Sequence, residues 1–135
     1  GVAQADGGLG EELGVQQVLL KTAHGTFIVT NMKGGVGAFP NARDVDAFEL
    51  LTNQDGTITF RDTFCRFLEA SGGSLSTTTA QSDNTHFEAD LGQLLFSLKN
   101  KVSGHYISAR GDGHVDVAAG SPGPDQMFSI GSETA

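Results

Sequence analysis

An all-β chain closed by three-fold repetition, a β-trefoil, is predicted by three features of this 135-residue sequence. Apolar residues alternate in short runs, Gly-Gly and Asp-Gly steps punctuate those runs, and three apolar columns recur at intervals of about 40 residues. The columns are Phe27, Phe67 and Tyr106; Val36, Leu75 and Val115; and Phe48, Phe87 and Phe128. Alternation within Val18-x-Leu20, Ile58-x-Phe60 and Phe96-x-Leu98 has the period of half-buried strands. Gly34-Gly35, Asp55-Gly56, Gly72-Gly73 and Asp112-Gly113 fall where hairpin turns need positive φ.

Taken in order, residues 1–14 carry five glycines with Asp6, Glu11 and Glu12 and no period, which predicts a loosely held acidic tail. A single domain is expected over 15–135. Its repeats span about 15–52, 53–91 and 92–132, and each supplies about four short strands, twelve in all. A linear solenoid of the same units competes with this reading, but it leaves two open edges and wants polar caps, which the sequence does not offer. The predicted core is Leu20, Ile28, Val36, Phe48, Leu50, Ile58, Phe60, Leu68, Leu75, Phe87, Phe96, Leu98, Ile107, Val115, Phe128 and Ile130.

Composition narrows the function. Sixteen acidic residues against eight basic ones give a net charge of -8, so a phosphate backbone would be met by a repelling field and nucleic acid is not an expected partner. No apolar run approaches the roughly 20 residues a membrane helix needs. Cys65 is the one cysteine and has no partner for an intrachain disulfide, which fits a reducing, cytoplasmic setting. It is read here as a packed or half-packed strand thiol between Phe64 and Phe67. Ser71, Ser74 and Ser76 lie in a polar loop with no base beside them, so no catalytic residue is assigned and no enzyme is expected. The histidines lack the short spacing of ligand pairs, and neither metal nor cofactor is expected.

Leu20-Lys21 with Gly25-Thr26-Phe27-Ile28, Phe60-Arg61 with Arg66-Phe67-Leu68, and Leu98-Lys99 with Gly104-His105-Tyr106-Ile107 form a recurrent pattern. An apolar-basic strand leads through a turn into a second strand, and Gly123-Pro124-Asp125-Gln126-Met127-Phe128 provides a closing aromatic. The pattern resembles the fascin-like trefoils, actin-crosslinking proteins, and Gly104 to Ala109 also resembles the hisactophilin type. No tryptophan closes any repeat here, and the histidines are only His24, His86, His105 and His114. The resemblance implies a non-catalytic module whose partner is actin or an actin-associated structure.

Two surfaces are candidates. The third repeat places Lys99, Lys101, His105, Arg110 and His114 within sixteen residues, opposed there only by Asp112, and so suits an acidic protein partner. Protonating all four histidines would move the charge from -8 to -4, so this surface is also a candidate for pH tuning. Arg110-Gly111-Asp112 has the letters of an integrin motif, but these residues read as a hairpin tip. The alternative function is neutral-glycan binding in shallow loop sites: Asp44 and Asp46 with Phe39 in the first repeat, Asp83 and Asn84 with His86 in the second, Asp125 and Gln126 in the third.

Overall fold

A computed structural model describes residues 15–131, and the tail expected over residues 1–14 lies outside the described residues. Among the described residues twelve strands are formed: β1 Val15–Thr22, β2 Phe27–Thr30, β3 Val36–Phe39, β4 Phe48–Thr52, β5 Ile58–Arg61, β6 Phe67–Ser71, β7 Ser74–Thr78, β8 Phe87–Glu88, β9 Lys99–Asn100, β10 Tyr106–Ala109, β11 Val115–Ala118 and β12 Phe128–Gly131. All pairings are antiparallel. β1 pairs with β4, β4 with β5, β5 with β8 and β8 with β9. The ring closes through the Phe96–Phe128 bridge and the pairing of β12 with β1. Closure removes the edges that a stacked solenoid would expose.

The remaining strands form three hairpins, β2–β3, β6–β7 and β10–β11. Each donates a backbone N–H to the turn of a neighbour: Ala38 to Gly113 O (3.0 Å), Thr77 to Gly34 O (3.2 Å) and Val117 to Gly73 O (3.1 Å). These bonds lock the hairpins into a triangle across one end of the ring. Gly113 is required there on two counts, since its φ is +96° and a Cβ would lie 2.9 Å from Ala38 O.

The period-2 pattern buries its inward phase, with Leu20, Phe60, Leu68, Leu98 and Phe128 fully buried and Phe48 edge-on to Phe60 at 5.9 Å. Val18, Ala38, Ala70, Ala109 and Val117 join the core. Two expected core residues differ. Val36 is half-buried, and Ile130 is 41% exposed because the β8–β9 connection runs irregularly through Leu91–Leu95 and leaves an open concavity above it. Cys65 is corrected as well. It is an exposed turn residue at φ +63°, the counterpart of Gly25 and Gly104 at the other two hairpin entries, rather than a packed strand thiol.

One polar position organises each of those entries. Thr22 Oγ1 accepts from His24 N and Thr26 N; Asp62 Oδ1 from Phe64 N and Arg66 N; Asn100 Oδ1 from Val102 N and Ser103 N. All three side chains are buried, and each short acceptor satisfies turn donors that would otherwise lack partners.

Candidate functional site

A single 3-10 turn precedes the fourth strand of every repeat: Asp44–Asp46, Asp83–Thr85 and Pro124–Gln126. The third side chain of each turn reaches back to the chain before it. Asp46 Oδ2 accepts from Arg43 N (2.8 Å), Thr85 Oγ1 from Ser82 N (3.2 Å) and Gln126 Oε1 from Gly123 N (2.6 Å). Two of the residues expected to bind sugar, Asp46 and Gln126, therefore hold the turn; Gln126 also donates from Nε2 to Ser108 Oγ at 2.7 Å. Asp125 Oδ1 accepts from His24 Nε2 at 2.7 Å, and the Asn84 carbonyl accepts from Asn100 Nδ2. Asp83 is exposed, 3.6 Å from Lys101 Nζ. Asp44 turns away from Asp46 into a small polar pocket of about 180 Å³ with Gln17, Glu49 and Arg61.

What the structure does bring together is an open groove of about 410 Å³ lined by Val29, Phe39, Pro40, Asn41, Arg43 and Asp46. Ala38 faces the core, so Phe39 takes the outward phase, and Pro40 ends the strand; the ring is left 52% exposed. Asp46 Oδ1 and Oδ2 accept from Arg43 Nη2 and Nε, both at 3.3 Å. That hydrogen bonding, with the attraction of the carboxylate, raises the Arg43 pKa, and the guanidinium lines the groove with the ring. The second and third repeats have no equivalent, because the positions paired with Phe67 and Tyr106 are Thr78 and Ala118, where Phe27 pairs with Phe39. Phe39 and Asp46 were legible in the sequence; Asn41 and Arg43 were not, since nothing local marks a residue as facing a groove.

The basic cluster of the third repeat is divided. Lys101 and His105 precede β10, Arg110 and His114 follow it, and the four residues of β10 separate them by roughly 13 Å. Acidic residues of the same chain answer these charges, Asp55 from far along the sequence and Asp116 from the adjoining strand. Lys101 Nζ lies 2.7 Å from Asp55 Oδ2, Arg110 Nη2 lies 2.9 Å from Asp116 Oδ2, and His114 Nε2 lies 3.4 Å from the same oxygen. Lys99 lies in a concavity with Glu88, Asp90 and Tyr106. Within Arg110-Gly111-Asp112, the Asp112 carboxylate accepts from His114 N and shapes the hairpin turn.

The Lys101 ammonium, then the Thr57 hydroxyl and backbone N–H, hold the Asp55 carboxyl well below the usual carboxylate range, while Asp55 raises Lys101. A depressed folded-state pKa contributes stability above the unfolded value and loses it as pH falls. Urea unfolding is therefore expected to show Asp55→Asn closing its stability gap to the parent progressively as pH drops below about 4. A gap that stays constant between pH 7 and pH 2 would remove this pair from the acid response.

No family model and no curated relative matches the sequence. Among solved structures the chain is similar to SeviL bound to asialo-GM1 saccharide, with a TM-score of 0.75 and 15% identity over 86% of this chain and 96% of that one. The fold is a β-trefoil. The trefoil itself is thereby established, while nothing at the level of family supports fascin in particular. On this trefoil the Phe39 groove lies against the β2–β3 hairpin of the first repeat.

Proposed function

We propose that this trefoil is a non-catalytic carbohydrate-binding module that takes a neutral glycan in the groove of its first repeat. The observation that carries this reading is the half-exposed Phe39 ring in one groove with Asn41 and the Arg43 paired to Asp46. An aromatic face packs against the C–H face of a sugar, and fixed polar groups orient its hydroxyls. SeviL, similar in fold, is bound to a saccharide, which supports the same class of ligand here. A net charge of -8 favours neutral over sulfated or uronate-rich glycans.

The actin reading through Lys99, Lys101, His105, Arg110 and His114 has less support, because Lys101 and Arg110 already face carboxylates of their own chain. A glycan array that includes the asialo-GM1 saccharide, followed by titration calorimetry, tests the proposal. Binding is expected to persist from low to physiological salt and to weaken by about tenfold or more in Phe39→Ala, which is about 1.4 kcal/mol. Absence of any glycan hit, together with salt-sensitive pelleting on filamentous actin, would return the protein to the cytoskeletal reading.

A further inference from the structure

A second concavity of about 350 Å³ adjoins the groove on the face of the same hairpin, and the two share Val29, Phe39 and Arg43 as a common wall. Beyond that wall it is lined by Asn31, Gly35 and Gly37. Strand pairing places Phe27 opposite Phe39 and Val29 opposite Gly37, so these four positions share the outward face. Gly37 interrupts that face. It is not among the glycines with positive φ, so its backbone does not call for glycine. A Cβ there would lie 3.0 Å from Phe39 Cε2, with Gly113 O 3.7 Å away, so glycine at this position lets the Phe39 ring lie close against the strand as the wall between the two concavities. At the far end, Asn31 Oδ1 accepts from Lys33 N and Gly35 N, both at 2.9 Å, which turns the side-chain amide Nδ2 into the group available to donate.

Building on the glycan reading, we infer that the site takes two consecutive sugar residues, one on each side of Phe39, so that its minimal ligand is a disaccharide. One ring packs in the Pro40, Asn41 and Arg43 lobe. The next lies in the lobe lined by Asn31, Gly35 and Gly37, within reach of the Asn31 amide. Titration of the full chain with methyl β-galactoside, lactose and the asialo-GM1 saccharide tests this. The disaccharide and the longer saccharide are expected to bind at least about tenfold more tightly than the monosaccharide. Asn31→Asp, which keeps the oxygen that accepts from Lys33 N and Gly35 N and removes the amide donor, is expected to lower that ratio by about fivefold. In the unmodified protein, lactose is expected to shift the backbone amide NMR signals of both Asn41 and the Gly35–Gly37 segment, and the monosaccharide only one of the two sets. Equal affinities for one and two rings, or Gly35 and Gly37 signals unmoved by lactose, would overturn the two-ring site and leave a one-ring lectin standing. Binding of none of the three saccharides would overturn the glycan reading and this inference together.

Discussion

Phe128→Ala is expected to lower the free energy of unfolding by about 3–5 kcal/mol, measured by urea denaturation at neutral pH. Phe128 is completely buried, and its truncation leaves a cavity that a closed ring collapses poorly. It also stands at the seam. Its N–H donates to Phe96 O (2.8 Å) and its carbonyl accepts from Phe96 N (2.9 Å), a bridge within the third repeat, and on its other side it pairs with Thr22 of β1. Domains of this size hold roughly 5–15 kcal/mol in total, so the loss is expected to bring the midpoint close to denaturant-free buffer. Phe48 and Phe87 occupy the same position in the other repeats and have the same burial, and Phe87 likewise meets the first strand of its repeat at one pair, Ile58. A cost for Phe128→Ala below about 1.5 kcal/mol would show that the seam repacks and that closure does not depend on this ring.

Asp62→Ala is the second large effect, expected at about 3 kcal/mol from the loss of partners for several part-buried donors. The carboxylate is 6% exposed, its Oδ1 accepts from Phe64 N (2.9 Å) and Arg66 N (3.0 Å), and its Oδ2 accepts from the Thr30 hydroxyl (2.7 Å). One side chain therefore shapes the β5–β6 turn and ties it to the strand β2 of the preceding repeat. Asp62→Asn keeps one acceptor oxygen and is expected to cost about half as much. Hydrogen exchange distinguishes this from a general loss of core stability: the amides of Phe64 and Arg66 are expected to lose protection first in the alanine variant. Uniform loss of protection across the ring would contradict a local anchoring role.

Much of the architecture was written in local patterns. Strand phase comes from alternation, and turn positions come from glycines, with Gly34, Gly56, Gly72 and Gly113 all at positive φ. The columns headed by Phe27, Val36 and Phe48 mark the same strands in every repeat. Function was less legible. The three repeats differ at single letters: where the first has Phe39, the others have Thr78 and Ala118 at the matching strand position. Asp46 and Gln126 carry the right chemistry for hydroxyls yet spend it on the backbone of their own turns.

Fold class, repeat number, turn sites and nearly all of the core thus follow from residues a few positions apart, because pleat and turn geometry are local properties of the chain. Only closure of the ring decided the rest. It set Lys101 against Asp55, forty-six residues away, and His24 against Asp125, one hundred and one residues away. It left Ile130 open to solvent and divided Asp44 from Asp46 between two concavities. Charge neutralisation and concave shape depend on which distant segments meet, and no periodicity within a repeat encodes that meeting.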